Sequence, residues 1–399
     1  MKLKTLVVIT SLHRWSYFQW FILGFYRLQR RSKIKFKLSL SINERLNATI
    51  LSSVFKRADI SIGTDSYLME GYIRFPNGVT KTFCVDSADS PFLFHEDKLR
   101  HCDIYFKMQY PKCLDSAEIP DVFSLAPGID IPWTDHRHEE ENRLLTDRGG
   151  RKRIYNIKQY RDKIKPLMVG PRRLSMRLNI DNLSETALER GYRNHVGSGS
   201  LVKNKKLMCY FGNAKGPIPN IIDSVPDYDN EGDLLTYFES KINHPNEKRA
   251  VVADIIKECD SSDARIISND NSDNKDSIRN NQIVPLDKFC DHVSAFQYNA
   301  NVSGYRLSIP NRFIESFMVG TAIITDKLHV RWYKPFADEV IESVEMGYLL
   351  NEDVNWEQYK IDLSSLPDIA ADNVLAEYEE KWLPEKVADY IVESLKATL

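Results

Sequence analysis

Apolar and polar positions change period several times along the first ninety residues. Thr5-Leu-Val-Val-Ile-Thr10 is a continuous apolar run rich in β-branched residues, the pattern of a strand buried on both faces. Residues 15–31 are long enough for a helix, and Ile34–Leu40 alternates as a strand does. Ile42–Lys56 reads as helix again, and Thr82-Phe-Cys-Val85 predicts a short strand ending in Asp86. Strands alternating with helices predict an α/β fold built from βαβ units around a parallel sheet.

The same grammar restarts after residue 200. Leu207-Met-Cys-Tyr-Phe211 predicts a buried strand that runs directly into Gly212-Asn-Ala-Lys-Gly216. A helix over 246–258, a strand over 264–268 and a polar loop over 269–282 follow. Residues 305–309 read as a strand, 311–319 as a helix and 322–325 as a strand, with a closing amphipathic helix or helix pair over 373–398. Between the halves, residues 133–153 are charged and broken by Gly149-Gly150, which places them on the surface. Gly197-Ser-Gly-Ser200, with Lys203, Lys205 and Lys206 beyond it, reads as a linker. The expected organisation is two α/β domains, residues 1–200 and 201–399.

Composition narrows the class. The chain has 399 residues, 42% of them hydrophobic and 28% charged, which suits two packed cores and excludes wholesale disorder. Lys+Arg number 54 against 56 Asp+Glu, a net charge of -2, so nucleic acid is not an expected partner of the chain as a whole. Six cysteines are scattered without a CxxC pair, which fits reduced thiols better than a disulfide framework. The apolar run Leu6–Leu12 stops at His13-Arg14 without a small-residue cleavage site, and residues 18–26 are too few to span a bilayer. A cytoplasmic location is therefore expected. The chain contains no GKS/T phosphate loop, no G-x-S-x-G elbow and no HExxH, so the corresponding kinase, serine hydrolase and zincin readings fall away.

The most informative stretch is residues 298–326, YNANVSGYRLSIPNRFIESFMVGTAIITD. Pro310 stands just before an expected helix that opens with Asn311 and Arg312, and Asn is a good helix cap. A helix start beside a parallel sheet suits a phosphate, and Arg312 adds charge. Glu315, one turn on, is placed to accept the hydroxyls of a ribose, and Gly320-Thr321 allows a tight turn into the next strand. A plain helix–strand unit with a solvated Arg and Glu gives the same pattern.

The run Arg306, Ser308, Pro310, Asn311, Arg312, Phe313, Glu315, Gly320 and Ala322 resembles the donor-binding segment of exostosin-like glycosyltransferases of the GT-B fold. Tyr210-Phe-Gly-Asn213 and Arg249 fit the glycine loop and helix arginine of that family, so the resemblance covers roughly residues 205–330. In this chain Ser308-Ile309-Pro310 stands where the family more often has Cys or Leu before the proline. The resemblance implies two Rossmann-like domains facing across a cleft, a nucleotide sugar on the C-terminal one and a glycan or lipid-linked acceptor on the other. It assigns Arg306 and Arg312 to the diphosphate, Glu315 to the ribose, and Gly212 and Asn213 to the phosphate loop, with Lys215 assisting. No metal or other cofactor is expected, because arginines and helix dipoles can stabilise a nucleotide leaving group.

Inversion at the sugar needs a base, and bases are expected where strands of the first half end. Asp86 and Asp89 in CVDSADSP, and His13 after the first strand, are the candidates. Asp227-Tyr-Asp229 matches a DxD metal motif but lies in turn sequence, with Asp233 beside it as a loop candidate. His244-Pro245 resembles the His-Pro pair of CMP-sugar transferases. His136-x-His138-Glu139 lacks a partner set for a metal. Residues 151–177 carry ten basic residues and one acid, Asp162, a surface suited to an anionic membrane or a pyrophosphate-linked lipid. The competing readings are a non-catalytic module that binds nucleic acid or membrane through that face, and a nucleotide-sugar epimerase.

Overall fold

A computed structural model describes residues 4–12, 15–40, 67–88, 91, 94–119, 122–126, 129–132, 157–171, 174, 183–197, 202–212, 245–267, 279–280, 286–303, 308–338, 340–343 and 355–399. The fold is mixed α/β, with two six-stranded sheets.

The first sheet draws on β1 (Leu6–Leu12), β2 (Lys35–Leu38), β3 (Leu68–Arg74), β4 (Thr80–Asp86), β5 (Ile104–Lys107) and β9 (Ile164–Pro166). Their order is β2-β1-β3-β4-β5-β9. β1 pairs in parallel with β2, and β4, β5 and β9 are parallel in turn. β3 runs antiparallel to both β1 and β4, so the sheet is mixed where the sequence predicts a parallel one. The cause is the β3–β4 hairpin. Its turn closes through Phe75 N to Val79 O at 2.8 Å, with Gly78 in the left-handed region at φ 87°. Pro76-Asn-Gly78 was the available turn signal. Short strands β6 (Tyr110–Pro111), β7 (Val122–Ala126) and β8 (Ile129–Pro132) lie outside this sheet.

The second sheet uses β10 (Lys205–Gly212), β11 (Ser262–Ile267), β12 (Arg279–Asn280), β13 (Phe296–Asn301), β14 (Ala322–Thr325) and β16 (Ile341–Ser343), all parallel. The order β12-β11-β10-β13-β14-β16 means the chain starts in the middle, winds outward to one edge, then returns to build the other side. Winding reverses between β10 and β13. Most of the strand expected over 305–309 lies outside the described residues, β13 at Phe296–Asn301 is a strand the sequence reading did not mark, and part of the expected 269–282 loop forms β12. The alternating Phe296, Tyr298 and Ala300 are all buried in β13, although Asn299 and Asn301 interrupt the apolar run.

Helices cover the sheets: α1 (Gln19–Arg30), α2 (Glu96–His101), α3 (Glu185–Val196), α4 (Pro245–Glu258), α5 (Leu286–Val293), α6 (Arg312–Phe317), α7 (Trp356–Ser364), α8 (Ala371–Glu377) and α9 (Pro384–Lys396). A five-residue π turn, Tyr378–Trp382, joins α8 to α9. α1 is buried along most of its circumference, because helices α3 and α9 cover what the sheet leaves open. The closing helix thus packs on the first half although its sequence continues from the second. Trp20 Nε1 donates to Trp382 O at 3.2 Å, and Arg27 bonds both Glu189 and Glu385 at 2.9 Å. One hydrophobic cluster runs through both sheets and these helices. All six cysteines are free, and among the described residues no helix is long and apolar enough to cross a membrane.

The carboxyl edges of the two sheets adjoin. Gln109, two residues past β5, hydrogen-bonds the backbone of Ile309, and Asn311 Nδ2 donates to Gly170 O beyond β9. β15 (Val330–Arg331) pairs antiparallel with β6, and Arg331 forms an ion pair with Asp115.

Candidate functional site

Parallel sheets of this winding bind ligands beyond the carboxyl ends of the strands where the order reverses. Here that place lies beyond β10 and β13. β10 ends at Phe211-Gly212, in the position expected of a strand opening into a glycine loop.

Two arginines converge there from different elements. Arg249 comes from the early part of α4, and its Nη2 donates to Val302 O at 3.4 Å, just past β13. Arg312 opens α6, and its guanidinium carbon lies 5.5 Å from the centre of the Phe211 ring. Arg312 as a residue is partly buried, and its Nη1 is buried and has no hydrogen-bond partner. Among the described residues no carboxylate forms an ion pair with it. Burial, then the charge of Arg249, push its pKa down to about 9, against a smaller pull upward from Glu315. Two guanidinium groups near each other in a poorly solvated place destabilise each other. An anion between them would reverse that.

A buried polar network borders the arginines. Asp326 follows β14 and accepts from Ser303 N at 3.1 Å, from Ser303 Oγ at 2.8 Å and from Thr325 Oγ1 at 3.1 Å. Asn301 Nδ2 donates to that Thr325 hydroxyl at 2.9 Å, and Asn299 Nδ2 donates to Ser316 Oγ of α6 at 2.9 Å. Burial raises the Asp326 pKa, while its hydrogen bonds and buried Lys248 pull it back. These bonds fix the turn after β13 and the face of α6 against it. Asn301, Ser303 and Asp326 escaped sequence reasoning, although Asp326 ends an apolar strand just as Asp86 does.

The expected residues are distributed as follows. Gly212, Arg249, Arg312 and Glu315 lie around the reversal point, and Glu315 is buried at 6% exposure. Ser308 is partly buried in the segment leading to α6. Asn311 is a correction: its backbone is helical, and its side chain makes no cap bond and reaches instead to Gly170 of the first half. The helix expected over 311–319 is shorter, Arg312–Phe317, because Gly320 at φ 72° turns the chain into β14. His13, Asp89, Asn213, Lys215, Arg306, Asp233 and His244 lie outside the described residues, as do the DxD motif and His136-x-His138.

Asp86 has a different setting from the arginines. It ends β4 as expected, but it is fully buried and its carboxylate is already occupied. Oδ2 accepts from Lys107 Nζ at 2.8 Å and from Tyr105 Oη at 2.6 Å, and Oδ1 accepts from Ala88 N at 2.9 Å. Lys107 is equally buried. With both oxygens bonded to Lys107, Tyr105 and Ala88, Asp86 ties β4 to β5 at this sheet edge. In the basic stretch, Arg161 donates to the carbonyls of Asp115 and Ala117, and Lys163 to those of Arg100 and Cys102. Both charges hold the 100–117 segment.

Compared with known proteins, the chain matches no protein-family model and no curated protein.

Proposed function

We propose that the chain is a glycosyltransferase that moves a sugar from a nucleotide-activated donor to a glycan or lipid-linked acceptor. In this reading the two halves are Rossmann-like domains in a GT-B arrangement. The second holds the nucleotide beyond β10 and β13, and the first presents the acceptor.

The observation that carries the reading is Arg312, a guanidinium without an anionic partner among the described residues, beside Arg249 where the strand order reverses. A departing nucleotide phosphate develops negative charge, and preorganised cations in a low-dielectric site stabilise it more than water does. Glu315 serves the ribose, and Gly212 lets the backbone approach the phosphates. Arg306, Asn213 and Lys215 join them on the strength of the family resemblance. Asp89 and His13 are the proposed bases now that Asp86 is occupied. Arg161 and Lys163 are engaged with main-chain carbonyls, and peripheral contact with an anionic membrane through the rest of 151–177 stays part of the proposal.

The test is a thermal-shift titration with UDP, GDP, dTDP, CMP and ADP, since a ligand of the native state alone raises the melting temperature with concentration. One nucleotide should stand out, and Arg312→Ala should abolish its shift while the unliganded protein stays folded. A flat response to all five would remove the nucleotide-donor reading. The matching nucleotide sugar, incubated with glycan and lipid-linked acceptors, then distinguishes transfer from isomerisation without an acceptor, which would mean an epimerase.

A further inference from the structure

Gln109 stands apart from the arginines and touches the segment that carries one of them. It is 2% exposed and belongs to the first half, yet both atoms of its amide bond the second. Nε2 donates to Ile309 O at 2.9 Å, and Oε1 accepts from Ile309 N at 2.9 Å. The side chain thereby pairs with Ile309 as a neighbouring strand would. The two residues before it are tied to the flanking strands, since Met108 N donates to Asp86 O at 3.0 Å and Leu167 N to Lys107 O at 2.9 Å.

Ile309 is fully buried and lies three residues before Arg312. Little freedom separates them. Pro310 fixes its own φ, Phe313 N donates to Pro310 O at 3.2 Å, and Glu315 N donates to Asn311 O at 3.1 Å. Asn311, the last residue before Arg312, is tied to Gly170 O. The first half therefore holds three hydrogen bonds on residues 309–311, the backbone that leads into Arg312.

We propose that Gln109 is a positioning residue for the Arg312 cation, so that anion binding in the second half depends on a side chain of the first. This rests on the anion reading of the Arg249–Arg312 pair. A site is only as accurate as the shell that supports it, and displacements near 1 Å can lower function about a hundredfold. Neither Gln109 nor Ile309 needs to touch the ligand.

The experiment measures pyrophosphate affinity by calorimetry for the wild type, Arg312→Ala, Gln109→Met and Gln109→Glu at pH 5.5 and pH 8. Size exclusion and circular dichroism establish that each protein is folded. Met removes both hydrogen bonds, so binding should weaken about tenfold or more at both pH values. A glutamic acid in its neutral form both accepts and donates, as glutamine does, and burial raises its pKa. Gln109→Glu should therefore match the wild type at pH 5.5 and weaken by about tenfold or more relative to it at pH 8, when Ile309 O faces a carboxylate. A role confined to stability would change the melting temperature and leave this pH-dependent affinity ratio flat.

Should Gln109→Met not fold, the pH dependence of Gln109→Glu decides alone. Wild-type affinity in the Gln109 variants at both pH values, with binding lost in Arg312→Ala, would overturn this inference and leave the anion site standing. No pyrophosphate binding by the wild type would overturn both.

Discussion

Asp86 and Lys107 show how a residue's surroundings decide its chemistry. Both are fully buried, at 2.8 Å, and each satisfies the other's charge. Removing one partner leaves the other ion desolvated and unpaired, so Lys107→Met should destabilise the fold by about 3–5 kcal/mol. Asp86→Leu combined with Lys107→Met should do less damage than either change alone, as urea unfolding would measure. Additive losses would show that the pair is not coupled. His329 gives a pH dependence of definite sign. Burial, then Lys327 and Lys112, lower its pKa from near 6.5 to about 4. Between these values the unfolded chain binds the proton that the folded chain refuses, so this contribution is complete above pH 6.5 and lost as pH falls toward 4. The downward shift of His292 acts in the same direction. His329→Gln should accordingly make the fall in melting temperature between pH 6.5 and 4 shallower; an unchanged slope would assign the fall elsewhere.

Among the elements, the crossing of α1 and α9 depends on a missing side chain. A Cβ on Gly24 would lie 2.1 Å from Pro384 O and 2.8 Å from Ala388 Cβ. The helices approach this closely because Gly24 leaves room, and Arg27, Arg31 and Lys33 then reach Glu385 and Asp389. Gly24→Ala should cost about 1–3 kcal/mol through overpacking, read as a lower urea midpoint at unchanged slope. A neutral result would mean that α9 shifts without loss. Gly191 on α3 has a similar constraint, with a Cβ position 1.6 Å from Leu174 O.

Across the whole molecule, the hydrophobic cluster is continuous between the halves and closed by α9, so they should unfold together. Tryptophan fluorescence and far-ultraviolet circular dichroism should trace one coincident urea transition. Two separated transitions would show that each half folds by itself. The last helix, α9, packs on α1 beside the first sheet.

Local patterning made much of the secondary structure legible. Apolar runs marked β1, β4, β10 and β14, and Asn246–Glu258 marked α4, because strand and helix periods are properties of neighbouring residues. Gly212, Arg249, Arg312 and Glu315 were singled out as candidates from spacing and resemblance. Strand order, the reversed direction of β3 and the pairing of Gln109 with a residue 200 positions away were decided by tertiary packing, for which the apolar period carries no signal. Nor did the sequence distinguish Asp86, neutralised by Lys107, from a free carboxylate, or Asn311, turned to Gly170, from a helix cap. A residue type limits the bonds its side chain can make; the fold decides which partner lies within 3 Å, and thereby whether its charge is held inside the structure or left for a ligand.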